Sequence, residues 1–98
     1  MNDSELRSYE VKLRSRRVRK EIDSLNQPDY RRVVDTLKEL SINPRPFGCE
    51  KLTHDIYRVR VGNWRIIYII DQVNKKVEVG GIRRRSERTY RDVEDLFR

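Results

Sequence analysis

The chain has 98 residues, the size of one domain, with 36% hydrophobic and 40% charged residues. Its longest apolar run, Ile66–Ile70, excludes a membrane-spanning helix of roughly 20 apolar residues. The first ten residues lack the apolar core of a secretory signal, and the single Cys49 excludes an internal disulfide or a cysteine zinc cluster, so a cytoplasmic protein is expected. Lys and Arg number 23 against 16 acids, net +7, and 17 of the bases are arginine. Guanidinium pairs in bidentate fashion with phosphate and stacks on bases, so this excess favours a polyanion, most simply nucleic acid. Solubility or an acidic protein partner is the alternative at this level.

Residues 1–8 show no periodicity and are expected to fray. Tyr9 to Leu13 alternates apolar and polar as a half-buried strand does. Ser15 can cap a helix running to about Leu25, with Val18, Ile22 and Leu25 at i, i+4 and i+7. Asn26-Gln27-Pro28 ends it and starts a second helix carrying Tyr30, Val33, Val34, Leu37 and Leu40 on one stripe. Residues 43–48 are Pro- and Gly-rich and read as a loop. Three strands follow, Ile56–Val61, Trp64–Asp71 and about Lys76–Ile82, then a short amphipathic helix over Thr89–Phe97. The order β-α-α-β-β-β-α predicts one α+β domain over residues 1–98, with two helices on one face of a mostly antiparallel sheet.

The first two of these strands are separated only by Gly62-Asn63, a two-residue hairpin loop, and this fixes their register. Val61 then faces Trp64, Arg60 faces Arg65 and Arg58 faces Ile67. Tyr57, Val59, Val61, Trp64, Ile66, Tyr68 and Ile70 share the face for the helices; Arg58, Arg60 and Arg65 share the other. Directly opposed like charges destabilise a sheet, so Arg60 beside Arg65 calls for an anion or a carboxylate between them. An even-length loop within residues 72–75 would bring Arg84 to the same face. Residues 83–91 add Arg83, Arg84, Arg85, Arg88 and Arg91 around Tyr90, a pattern suited to phosphate contact plus base stacking. A solvated arginine face is the plainer alternative.

Asp71 and Glu78 can meet across the second hairpin, but two acids near a turn make a poor metal site, and no cofactor is expected. His54 is the single histidine, which excludes a two-histidine ribonuclease, and neither it nor Cys49 has an evident triad partner. Metal-free RNA scission remains. There the substrate's 2′-hydroxyl attacks the adjacent phosphorus while arginines stabilise the developing charge. Arginine is a poor proton carrier, so Tyr90 is the best-placed candidate, with His54 near the edge of the patch.

The sequence resembles the RelE/ParE superfamily of bacterial and archaeal toxins from Tyr9 to Leu96. The resemblance rests on the element order, on Lys51-Leu52 leading into Ile56–Val61, on Gly62 to Tyr68, and on the basic segment from Arg83 to Tyr90. It implies, for the RelE branch, a toxin of a type II toxin–antitoxin system that cleaves mRNA without metal, typically in the ribosomal 30S A site, and so inhibits translation. A cognate antitoxin would wrap and inactivate it, with an acidic segment on the arginine face, and the complex would bind operator DNA. Family positions fall on Arg65, Arg84 and Tyr90 as catalytic residues and on Arg58 and Arg60 as RNA-binding ones, with Arg83 or Arg85 in place of Arg84 if the loop slides; Arg83, Arg85 and Arg88 of the basic segment are further RNA-binding candidates. Typical members carry lysines where this chain has Arg58 and Arg60, which leaves the general base to Tyr90, His54 or another group. The alternative is a ParE-like toxin that is no nuclease and binds a protein target such as DNA gyrase.

Overall fold

The computed structural model describes residues 8–85 and 93–98. Its elements are β1 (Glu10–Leu13), α1 (Arg16–Asp23), α2 (Gln27–Ile42), β2 (Glu50–Thr53), β3 (Ile56–Val61), β4 (Trp64–Asp71), β5 (Lys76–Arg84) and a 3₁₀ turn (Glu94–Phe97). One sheet of five strands runs in the order β1-β5-β4-β3-β2, with β1 parallel to β5 and the other pairs antiparallel. The expected α+β architecture is therefore present, with a short additional strand, β2, in the stretch before β3. Among the described residues no helix is long and apolar enough to cross a membrane.

Local chemistry accounts for the helices. Ser15 occupies the N-cap of α1 without a side-chain hydrogen bond, whereas the Asn26 side chain accepts from the Asp29 amide and Pro28 sits in the first turn of α2. Val18 and Ile22 of α1 and Val33 and Leu40 of α2 pack on the sheet, while Tyr30 stays partly exposed, so the α2 stripe is narrower than its spacing predicts. The main core joins these to Val59, Val61, Ile66, Tyr68, Ile70, Val77, Val79 and Ile82. Burying each such aliphatic side chain stabilises the fold by about 1.5–3 kcal/mol relative to leaving it exposed.

The hairpin register is the one its loop dictates: Val61 pairs with Trp64, Arg60 with Arg65, Val59 with Ile66 and Arg58 with Ile67. Of the two loop residues only Gly62 has a positive φ, 61°, the geometry of a type II′ turn. Between β4 and β5 a four-residue loop joins Asp71 to its partner Lys76, and the pairs run evenly as far as Tyr68 with Val79. There a β-bulge intervenes, and Ile67 pairs with Gly81 instead of Gly80. One extra residue reverses the parity of the rest of β5. The sheet's second face carries its own small apolar cluster, in which Ile56 and Ile67 are covered by Val93 and Leu96. Phe97 fits over Gly80, where a Cβ would stand 2.5 Å from its Cζ.

Candidate functional site

Arg60 of β3 pairs with Arg65 of β4, and Arg65 pairs with Arg83 of β5. Three arginines thus occupy one cross-strand row on adjacent strands about 4.8 Å apart. Arg58 stands on the same face two positions along β3. Arg65 is only 9% exposed, so the centre of this row is taken out of water. A guanidinium buried within a row of like charges calls for counter-charge, from carboxylates at the margin or from a bound anion.

Two carboxylates border the row. Glu50 of β2 pairs with Arg58, whose Nε donates to it at 2.9 Å and whose Nη2 donates to the same oxygen. That hydrogen-bonded Arg58 charge, with Arg60 and Arg65 behind it, holds the Glu50 carboxyl below the usual carboxylate range. At the other end Glu21 of α1 lies 3.6 Å from Arg83 and also accepts from the Ile82 amide at 2.9 Å. Arg17, one turn earlier, donates to the Gly80 carbonyl, so α1 satisfies the edge of β5 beyond the end of β1. The Glu50 side of the row opens into a cleft of about 360 Å³ lined by Phe47, Gly48, Glu50, Arg58, Val59 and Arg60.

Arg84 does not stand in the row. The bulge turns it to the helix-covered face, where it pairs with Trp64 and its guanidinium lies 5.0 Å from the indole centroid. The expected placement of Arg84 on the arginine face is corrected on this point: the bulge breaks the even parity, and Arg83 pairs with Arg65 instead. Arg85 follows at the exposed end of β5, its amide bonded to the Asn63 carbonyl. Tyr90 and Arg88, expected as site residues, lie outside the described residues. His54 is exposed in the turn between β2 and β3 with φ 47°, at the end of β3 away from the Arg60–Arg65 pair. Asp71 is engaged by Asn74 and Glu78 by Arg14, so neither carboxylate joins the arginine row.

Glu50 is the site residue that sequence reasoning missed. The need for a carboxylate near Arg60 and Arg65 was legible, but its source was not, because residues 50–53 contain a single apolar residue, Leu52. The bulge did leave a signal: Gly80-Gly81 in a strand marks a place where a ladder can break. Tyr68, by contrast, is wholly buried, donates to the Pro44 carbonyl at 2.7 Å and has its phenol pushed up by burial, so it serves packing and not proton transfer.

Residues 13–89 match the family model of the ParE toxin of type II toxin–antitoxin systems, parDE. The chain belongs to the RelE/ParE toxin superfamily. A chain of the archaeal RelE–RelB complex from Pyrococcus horikoshii OT3 is 31% identical, over 83% of this chain and 99% of that one, with a TM-score of 0.74. A chain of the RelBE2 toxin–antitoxin complex of Mycobacterium tuberculosis shares the fold at 21% identity, over 84% of this chain and 97% of that one, with a TM-score of 0.69. The isolated RelE toxin of E. coli also shares it, at 20% identity over 90% and 95% of the two chains, with a TM-score of 0.69. No curated protein sequence matches this chain. It is therefore a type II toxin of RelE/ParE type, and the arginine row is a feature of this toxin's own sheet.

Proposed function

We propose that this toxin is a metal-independent mRNA endonuclease that arrests translation, acting on mRNA in the ribosomal A site. The observation that supports this most is the in-register row Arg60–Arg65–Arg83 with an ionised carboxylate, Glu50, at its margin. A phosphodiester bound over the row has its charge balanced by guanidinium groups that a pure protein-binding surface has no need to set side by side. The substrate's 2′-hydroxyl attacks the adjacent phosphorus and its proton passes to an acceptor. The P–O5′ bond breaks, and the departing 5′-oxygen takes up a proton, leaving a 2′,3′-cyclic phosphate and a 5′-hydroxyl. Of the two carboxylates at the margin of the row, Glu50 borders the open cleft, whereas Glu21 is engaged by Arg17 and the Ile82 amide, so Glu50 takes the acceptor role in place of His54. Tyr90 keeps the role of proton donor or stacking group that the sequence gives it. Arg65 and Arg83 hold the phosphate, Arg58 and Arg60 guide the strand into the site, and Arg85 and Arg88 extend the basic track.

The partner that restrains the toxin is a cognate antitoxin, as the RelE–RelB complex of the archaeal relative supports. An acidic antitoxin segment laid over the arginine row would block the phosphate site, and the complex, not the toxin alone, would bind operator DNA. The location is cytoplasmic.

The family model that matches is that of ParE, and this favours a second reading, a toxin that is no nuclease and binds a protein target such as DNA gyrase. Primer extension on translated mRNA after induction separates the two. The nuclease reading expects discrete cleavage sites that vanish, together with growth arrest, in Arg65→Ala combined with Tyr90→Phe. Unchanged cleavage and arrest in that variant overturn the site, and a DNA-damage response without mRNA cleavage favours the second reading.

A further inference from the structure

Phe47 is fully exposed, at 105% of its reference area, and so adds nothing to the core. A lone exposed aromatic ordinarily needs no explanation. This one, however, lines the same cleft of about 360 Å³ as Arg58, Arg60 and Glu50. It is also held in place. Cys49 N–H donates to the Pro46 carbonyl at 3.0 Å, and Gly48 has φ 89°, which together make residues 46–49 a type II turn with Phe47 at its first corner. The flanking prolines, Pro44 and Pro46, fix their own φ. Tyr68 anchors the Pro44 carbonyl, and Arg45 binds the Tyr57 hydroxyl at 3.3 Å and Gln72 at 3.1 Å. An apolar ring presented to water on a braced loop loses little freedom when a ligand covers it. At Gly48 a Cβ would meet nothing within 4 Å beyond its chain neighbours, so no other part of the fold crowds the turn at that point.

We infer that Phe47 is a stacking platform for one nucleobase of the single-stranded RNA whose phosphates lie on the arginine row. The inference rests on the RNA reading above and deepens it by naming a base subsite. Arginines grip the backbone without regard to sequence, whereas a ring beside them takes the face of a base, the combination that single-stranded nucleic acid sites use. The platform lies on the Glu50 side of the row, so the stacked base belongs to a nucleotide flanking the scissile phosphate. Phe47 is on these grounds a positioning residue.

The test uses the purified toxin and a short RNA with 2′-O-methyl groups, which cannot be cleaved, measured free and placed in the A site of a programmed ribosome. Phe47→Ala and Phe47→Leu should each bind about tenfold more weakly, and Phe47→Trp as well as wild type or better. A single abasic nucleotide at the stacked position should weaken wild-type binding by the same factor and leave Phe47→Ala no worse. Equal binding by Phe47→Leu and wild type overturns the platform, as does an abasic penalty that is the same in wild type and Phe47→Ala. Loss of antitoxin binding with RNA binding intact also overturns it, since the ring would then face a protein. Arg65→Ala tells the two failures apart: if it weakens RNA binding while the Phe47 variants do not, only the platform falls, and if it has no effect the RNA reading falls as well.

Discussion

The two faces of this sheet are built from alternate residues of the same strands and serve opposite ends. On one, Ile66, Tyr68, Val77 and Val79 are wholly buried beneath the helices, and Tyr57 stacks on Tyr68 with ring centroids 5.9 Å apart. On the other, Arg65 is nearly as buried but sits in a row with Arg60 and Arg83. The first face gains stability from each residue. The second holds like charges side by side, a repulsion that Glu50 at Arg58 and Glu21 at Arg83 offset at its two ends and that a bound anion would offset further. The backbone between Arg65 and Ile66 divides the two roles. That contrast teaches where to look for the proposed site in this fold: on the face whose charges the core does not need.

The contrast can be broken at those two neighbouring positions. Ile66→Ala should cost about 2–5 kcal/mol in a denaturant titration, because it opens a cavity under the helices. It should reduce toxicity only as far as it unfolds the protein. Arg65→Ala should lower mRNA cleavage about 100-fold or more, the scale seen when one preorganised donor to a transition-state charge is removed, while leaving stability unchanged or improved. A large stability loss from Arg65→Ala would mean that the arginine face is structural.

The bulge offers a sharper cut. Arg83 and Arg84 are sequence neighbours that the extra residue sends to opposite faces. Arg83→Ala should weaken cleavage by about tenfold, the scale of one charge-assisted contact. Arg84→Ala should instead cost stability, about 0.5–1 kcal/mol from the lost stacking on Trp64. Thermal unfolding and cleavage assays run on both variants test this, and the opposite assignment would contradict the observed register.

A smaller effect separates Glu50 from the arginines. Its carboxyl is held below the usual range chiefly by the Arg58 hydrogen bond, so it is ionised at neutral pH and cleavage should fall only as acidification passes that lowered pKa. Arg58→Ala removes the bond and the nearest charge, so the acid limb of the pH–rate profile should move to higher pH. Glu50→Gln should flatten that limb. An acid limb indifferent to both substitutions would remove Glu50 from the proton transfer.

Much of this was legible in the sequence, and the exceptions have physical causes. The helices were legible because Val18, Ile22, Val33 and Leu40 recur at helical spacing, and the β3–β4 register because a two-residue loop leaves no freedom. Strand β2 was not, since its polar residues owe their extended form to pairing with β3, and that pairing is itself irregular between Lys51 and Thr53. Glu50 was missed for the same reason. Arg84 was misplaced because parity counting assumes an unbroken ladder, and Gly80, which lets Phe97 approach the sheet, is where the ladder breaks. The apolar cluster under the 3₁₀ turn was hidden too: Ile67 was legible as facing away from the helices, but not what would cover it.

The most direct test of the proposed nuclease is the chemistry of the ends it leaves. RNA recovered from cells after induction of the wild-type toxin can be mapped for 5′-hydroxyl ends downstream of each break and cyclic or terminal phosphate upstream. Attack by the substrate's own 2′-hydroxyl over the arginine row predicts those ends on translated messages, and their absence in Arg65→Ala. Fragments with 5′-phosphate and 3′-hydroxyl ends, or arrested cells with intact messages, would contradict it.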